Sequence, residues 1–282
     1  MTLKLSTGED IFYKKSGEGK TLLLCVPGGP GFSHIYLDAF HHHVPTEHFT
    51  VVTYDPTATG NSNGRAFYQE LNGYVEELSE IVENLGFEHF YLLGHSSGNC
   101  IIIDYVLNNH QKPMGVVFLN PFINGKEVLA NINQLAGKLS IEFHKKRNGI
   151  LESQDFNSYV ALLSEFWIPR HFCRVNPWPE ELVSGISSLS GEVVNHYIGA
   201  DPLNFSGKML EWDRKGEIEK LDVSCLIIGG KHDYMPKEHI DWMHEKLQNS
   251  QVFIFDQASH TPWMEDPEAV FSKIVGFLKS GL

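Results

Sequence analysis

The chain has 282 residues, more than one minimal domain needs and fewer than two full domains require. Hydrophobic residues at 42% and charged residues at 20% are close to globular averages, which excludes disorder, collagen and coiled coil. The formal net charge is −13, and the longest basic cluster is only Lys145-Lys146-Arg147, so we expect no nucleic-acid partner. The length therefore suggests one large domain with an insertion, or two small domains.

Neither a secretion signal nor a membrane span is apparent in the composition. The first residues, MTLKLSTGED, lack an apolar core, and no apolar run approaches about 18 to 20 residues. The four cysteines form no C-x-x-C pair, and three lie in apolar runs, which favours reduced, buried thiols over disulfides or zinc. We expect a cytoplasmic protein without a membrane partner, of unknown oligomeric state.

Alternating and continuous apolar runs predict the strands. The opening segment, LKLSTGEDIFYKKSG, has a Thr-Gly turn between two alternating runs, which predicts a hairpin. Six further strands are predicted at residues 21–27, 49–55, 89–94, 115–120, 224–230 and 251–256. Because continuous runs such as LLLCV and CLII suit strands covered on both faces, we expect a mainly parallel sheet.

Helical periodicity lies between several of these strands. Residues 70–85 have apolar positions at helical spacing, and Gly86 should end that helix. Its outward-facing residues are expected to be Glu76, Glu77, Glu80 and Glu83. Residues 267–278 repeat the pattern after the last strand. Strands that alternate with helices predict an α/β fold with a doubly wound sheet.

The alternation stops between about residues 121 and 220. This part of the chain has helical periodicity, many aromatic residues and Pro-rich joints, and the strand pattern returns at Val223. We interpret residues 121–220 as a helical cap inserted into an α/β core of residues 1–120 and 221–282. Such a cap would cover the strand ends where open α/β sheets bind ligands.

The most informative motif is Gly94-His95-Ser96-Ser97-Gly98, between a predicted strand and a helical run. A serine on so sharp a turn projects its hydroxyl at the sheet edge, and the flanking glycines avoid collisions. A serine hydroxyl needs a base to act as a nucleophile, and the base needs an acid to hold it. Asp233 and His260 follow the last two predicted strands, so both should reach the edge that carries Ser96. His95 should point away from Ser96 and serve packing or hydrogen bonding.

Acyl transfer also needs donors for the oxyanion of the tetrahedral intermediate. The N–H of Ser97, at the start of a helix, is one candidate. The second should come from the loop Pro27-Gly28-Gly29-Pro30-Gly31, with Gly29 preferred and Gly28 as the alternative. This set predicts a serine hydrolase that requires no metal and no cofactor.

These motifs resemble the α/β-hydrolase superfamily, and more narrowly the prolyl aminopeptidase (proline iminopeptidase) family. That family has H-G-G-P-G at the oxyanion loop, where this chain has P-G-G-P-G. It also has a Y-D-Q-x-G-x-G-x-S stretch, which this chain matches at Asp55, Gly60 and Ser62. Three further segments are similar to the family: EWD before a strand, GGKHDYMP around the acid and ASHTPWMEDPEAV around the base. The resemblance implies cleavage of a small amide, or of an N-terminal proline peptide, through an acyl-enzyme on Ser96.

The departures from that family concern the carboxylates that hold the free α-amine of the substrate. The position directly after the acid is Tyr234, and the second position falls near Pro202, with Asp201 beside it. Glu165 and Glu192 are further acidic residues of the cap. Because a buried ammonium without a carboxylate is costly, two alternatives stay open: a small-molecule carboxylesterase and a slow-turnover binding protein.

Aromatic residues of the cap are candidates to line an apolar pocket, although helix packing would account for most of them. They are Phe166, Trp167, Phe172, Trp178 and Tyr197. We expect a small-molecule or short-peptide substrate, with Tyr234, Asp201 and Trp167 as candidate binding residues.

Overall fold

The computed structural model describes residues 1–62, 66–108, 110–153 and 155–281, and a sheet of eight strands lies at its centre. The strands are β1 (Thr2–Lys4), β2 (Asp10–Ser16), β3 (Thr21–Val26), β4 (Phe49–Tyr54), β5 (His89–His95), β6 (Gly115–Leu119), β7 (Ser224–Gly230) and β8 (Ser250–Phe255). Their order is β1-β2-β4-β3-β5-β6-β7-β8; the pairs β1–β2 and β2–β4 are antiparallel and all others are parallel. The predicted α/β class and the N-terminal hairpin are confirmed.

The helices flank the sheet or occupy the long connection between β6 and β7. In the described residues they are α1 (Phe40–His43), α2 (Leu71–Leu85), α3 (Gly98–Leu107), α4 (Gly125–Ala136), α5 (Ile141–Ser153), α6 (Phe156–Phe166), α7 (Ile168–His171), α8 (Glu180–Ser187), α9 (Gly191–Tyr197), α10 (Lys237–Lys246), α11 (Pro262–Glu265) and α12 (Pro267–Lys279). Short 3-10 helices cover His34–Leu37, Gly60–Ser62, Pro202–Asn204, Lys208–Leu210 and Ile218–Lys220.

Alternate residues of the central strands enter two hydrophobic cores, one on each face of the sheet. In β3, Leu22, Leu24 and Val26 share a core with residues of α2, α3 and α10, whereas Leu23 and Cys25 pack with residues of α1 and α12. Every residue of β3 is buried. Burial on both faces explains why this strand is a continuous apolar run without alternation.

The expectation that all four glutamates of α2 face outward is wrong for Glu77. Its side chain is buried, and its carboxylate accepts hydrogen bonds from the N–H of Thr57, at 3.2 Å, and from the Thr57 hydroxyl. Its partner belongs to the loop after β4, and periodicity within a helix cannot reveal a polar group from another element.

The connection between β6 and β7 leaves and rejoins the core through two paired segments. Asn124 and Asp213 form an isolated antiparallel bridge, and the N–H of Gly125 donates to the carbonyl of Trp212 at 2.9 Å. Between these two segments, the secondary structure of the described residues consists only of helices. The paired segments lie a few residues inside the predicted limits of the cap, 121 and 220.

None of the described helices combines the length and apolar character of a membrane span.

Candidate active site

Ser96 lies on the turn between β5 and α3 in a strained backbone conformation. Its φ is 54°, in the left-handed region that residues with a Cβ seldom adopt. A Cβ at Gly98 would lie only 2.5 Å from the carbonyl oxygen of Val26, and a Cβ at Gly94 would lie 2.5 Å from Asn99 Oδ1. The two glycines therefore allow the helix to start close against β3, as the motif predicts.

Asp233 and His260 meet at the carboxyl edge of the sheet. His260 Nδ1 lies 2.8 Å from Asp233 Oδ1, and the two side chains are 1% and 3% exposed. Their loops pack so closely that a Cβ at Gly230 would lie 2.2 Å from the carbonyl oxygen of Ser259. Water is thus largely excluded from this pair, which strengthens its electrostatic interaction.

Two residues that sequence reasoning missed support this pair. Asn120, directly after β6, directs its Nδ2 to Asp233 Oδ2 at 2.6 Å and to the carbonyl of Ser259 at 3.0 Å. Glu265 in α11 accepts hydrogen bonds from the N–H and the hydroxyl of Ser259, both at 2.7 Å. Asn120 follows β6, the neighbour of the strand that precedes Asp233, and this position could have indicated its role from the sequence. No sequence pattern indicates the role of Glu265.

The phenol of Tyr234 occupies the other side of the base. Tyr234 Oη lies 2.9 Å from His260 Nε2, and the two ring centroids are 4.3 Å apart. Burial and the neighbouring Asp233 raise the pKa of Tyr234, so the phenol stays protonated at neutral pH. Among the described residues, no hydrogen bond joins Ser96 Oγ directly to His260 Nε2.

The candidate oxyanion donors differ in whether their N–H groups already donate a hydrogen bond within the protein. The N–H of Gly28 donates to Tyr36 Oη at 2.6 Å. In the described part of the chain, the N–H groups of Gly29 and Ser97 have no such partner, and both residues line a cavity above Ser96. Gly29 and Ser97 are thus available as donors, and the alternative, Gly28, is not.

His95 connects the glycine loop to the base. Its Nε2 donates to the carbonyl oxygen of His260 at 2.8 Å, and its Nδ1 accepts from Tyr36 Oη at 3.1 Å. Burial, with a contribution from His260, holds the pKa of His95 well below its usual range, so the ring is neutral. A neutral ring with one donor and one acceptor satisfies both contacts. His95 therefore has a hydrogen-bonding role and is turned away from Ser96.

A cavity of about 190 Å³ opens above Ser96, bounded by the core and the helical connection. Its lining is apolar apart from the side-chain polar groups of Ser96, Ser97, Tyr159, Trp167 and Tyr234, and no residue in it, within the described ranges, has a charged side chain. Of the candidate aromatic residues, Trp167 and Phe172 line the cavity; Phe166, Trp178 and Tyr197 do not. This site is suited to a small apolar group.

The acidic candidates of the cap lie elsewhere. Asp201 forms an ion pair with Arg147, accepts a hydrogen bond from the Tyr159 hydroxyl and caps the 3-10 helix through the N–H of Leu203. Glu165 and Glu192 are exposed. None of these three carboxylates lines the cavity, so Asp201 stabilises the helical connection and its charge is compensated there.

Comparisons with known proteins agree with this architecture. Residues 23–273 match the alpha/beta hydrolase family. A proline iminopeptidase of Chitinophaga pinensis is 26% identical over 280 residues, covering 96% of this chain and 94% of that protein. Among solved structures, VinJ has a TM-score of 0.91 at 19% identity, covering 100% of this chain and 98% of its own. A proline iminopeptidase of Mycobacterium smegmatis has a TM-score of 0.87, also at 19% identity and with the same coverage.

Proposed function

This chain belongs to the alpha/beta hydrolase family, and we propose that it is a serine hydrolase with Ser96 as nucleophile, His260 as base and Asp233 as acid. The observation that carries the proposal is the buried Asp233–His260 pair beside a serine held at positive φ in the wall of a cavity. A histidine whose Nδ1–H is bonded to a carboxylate presents Nε2 as a proton acceptor, which is what a serine nucleophile requires.

In the proposed reaction, Ser96 Oγ attacks the substrate carbonyl while its proton passes to His260. The N–H groups of Gly29 and Ser97 stabilise the negative charge that develops on the carbonyl oxygen; each such donor is typically worth about 10²- to 10³-fold in rate. His260 returns the proton to the leaving group, and water then releases the acyl group by the same steps in reverse.

The cavity favours an uncharged acyl group. An ammonium taken from water into an apolar cavity without a carboxylate loses several kcal/mol of hydration, and no carboxylate lines this cavity in the described chain. Tyr234 is neutral, and Asp201 is already paired with Arg147. We therefore infer that the preferred substrate is a carboxylic ester, or an amide, with a small apolar acyl group.

Release of an N-terminal proline is the second candidate. It is supported by the relatives, which are named proline iminopeptidases and match almost the whole chain at 21 to 26% identity. Against it stands the uncharged cavity, because an N-terminal amine carries a charge at neutral pH.

The two candidates differ in substrate rates. Short-chain p-nitrophenyl esters should be hydrolysed with a kcat/KM well above that of proline, alanine and leucine p-nitroanilides. A preference for proline anilide over every ester would reverse the assignment. Wild type should also react with a fluorophosphonate probe, and Ser96→Ala should not; Ser153→Ala, at an exposed serine of α5, is the control. Equal labelling of wild type and Ser96→Ala would reject Ser96 as the nucleophile.

A further inference from the structure

Tyr234 is held rigidly against the base. Its carbonyl oxygen accepts a hydrogen bond from Asn131 Nδ2 of α4 at 2.8 Å. Its ring centroid lies 4.3 Å from that of His260 and 6.4 Å from that of Phe172, and the rings of Phe172 and His260 are 5.1 Å apart, so the three rings pack against one another. Displacing the phenol from His260 would therefore disturb its packing against both rings.

The hydrogen bonds of Asp233 determine which nitrogen of His260 carries the proton. Asp233 accepts from Asn120 Nδ2 and from the N–H of Met235, which leaves it acting as a carboxylate acceptor. His260 Nδ1 must then be the donor in its contact with Asp233. When Nδ1 carries the only ring proton, the remaining lone pair is on Nε2, and Tyr234 Oη lies 2.9 Å from that nitrogen. In this arrangement Ser96 has no free acceptor on His260.

The phenol and the nucleophile share one cavity. Burial raises the pKa of Tyr234, and the nearby Ser96 side chain lowers it. Ser96 and Tyr234 line the same cavity. Tyr234 Oη is hydrogen-bonded to His260 Nε2, and His260 Nδ1 to Asp233, so the phenol is the polar group of the cavity wall that connects the side of Ser96 to the Asp233–His260 pair.

We propose that Tyr234 relays the proton between Ser96 and His260, an inference that rests on the proposed serine hydrolase function. As Ser96 Oγ bonds to the carbonyl carbon, its proton moves to Tyr234 Oη and the phenolic proton moves to His260 Nε2. Tyr234 ends the step as a neutral phenol, so no phenolate is formed. When the tetrahedral intermediate collapses, the same path returns a proton from His260 to the leaving group.

The test compares Tyr234→Phe, which removes only the hydroxyl, with Tyr197→Phe. Tyr197 is a buried tyrosine of α9 whose hydroxyl donates to the carbonyl of Tyr68 at 2.8 Å, outside the cavity lining. Proton transfer by a positioned group contributes about 10²- to 10⁴-fold. We expect Tyr234→Phe to lower kcat/KM for a p-nitrophenyl ester, and the rate of fluorophosphonate labelling, by about 100-fold. Tyr197→Phe should retain wild-type rates.

A fall of less than tenfold, or an increase, in Tyr234→Phe overturns the relay, since an increase would mean that the phenol obstructs the base. Absence of Ser96-dependent labelling in wild type would overturn the serine hydrolase proposal and the relay together. The two failures are therefore distinguishable.

A second measurement requires no substitution. When acylation is followed in mixtures of H2O and D2O, two protons in flight give a curved dependence of rate on deuterium fraction, and one proton gives a straight line. The relay predicts a curve for wild type. A straight line in wild type would overturn it even if Tyr234→Phe failed to fold.

Discussion

Asn120 holds the carboxylate of Asp233 from a backbone conformation that most residues avoid. Its φ is 49°, and asparagine tolerates this region better than most side chains. From there Nδ2 reaches both Asp233 and the loop that carries His260. One side chain therefore sets the relative position of the acid and the base.

Replacement of Asn120 should affect catalysis and stability separately. Asn120→Ala and Asn120→Gly both lose the hydrogen bond to a charged group, worth about 1.5–3 kcal/mol, and we expect kcat for an ester to fall roughly tenfold or more in both. Glycine accepts the positive φ, so Asn120→Gly should be about 1 kcal/mol more stable to urea than Asn120→Ala. Wild-type kcat in Asn120→Gly would show that Asp233 does not depend on the amide.

Helix α3 begins closer to β3 than a side chain would permit. A Cβ at Gly98 would meet the carbonyl oxygens of Val26 and Pro27 at 2.5 and 2.6 Å. The N–H of Ser97, a proposed oxyanion donor, lies immediately before this contact. The start of the helix and the geometry of the site are therefore coupled through the absence of one methyl group.

Gly98→Ala should push α3 away from β3. We expect the free energy of unfolding to fall by about 1–3 kcal/mol, the usual cost of overpacking, and the rate of fluorophosphonate labelling to fall with it. The matched control is Gly276→Ala in the middle of α12, where a Cβ meets no atom within 4 Å. That change should stabilise the chain by roughly 0.5–1 kcal/mol. Similar effects of the two substitutions on unfolding in urea would contradict the close-packing argument.

The helical connection between β6 and β7 is attached to the core by a cluster of charged and aromatic groups at its C-terminal end. Asp104 of α3 accepts hydrogen bonds from Arg214 Nε at 2.6 Å and Arg214 Nη2 at 3.2 Å, and from Trp212 Nε1 at 3.3 Å. The Asp104 side chain is 11% exposed. Since α3 also carries the Ser96 turn at its start, this cluster links the walls of the cavity to the nucleophile.

Asp104→Asn should destabilise the protein because it leaves the Arg214 guanidinium without its principal counter-charge. A hydrogen bond to a charged group is worth about 1.5–3 kcal/mol, and we expect a loss of this order in urea unfolding. Lys231→Gln, which breaks the exposed Lys231–Asp256 pair, should change stability by about 0.5 kcal/mol or less. Equal stabilities for the two variants would refute the anchoring role of Asp104.

Local patterns in the chain were sufficient to predict the strands, the α2 and α12 helices, the helical connection and the turn that carries Ser96. The periodicity of apolar residues indicates which face of an element is buried. The glycines around Ser96 indicate a tight turn in which a Cβ would collide with neighbouring atoms. The order of Ser96, Asp233 and His260 along the chain follows from the carboxyl ends of parallel strands meeting at one edge. The limits of the cap and the catalytic roles of the three residues stay predictions.

The tertiary structure alone decided which polar groups meet. Tyr234 contacts His260, Asn120 contacts Asp233 and Asp201 pairs with Arg147, across 26, 113 and 54 residues of chain. From the sequence, Asp201 is a candidate to bind an ammonium group, but in the fold it is paired with the guanidinium of Arg147. Likewise, the sequence does not indicate that Tyr234 contacts His260, because that contact depends on where the two loops are packed. Sequence patterns record burial and backbone conformation, whereas the partner of a buried polar group depends on how distant elements pack.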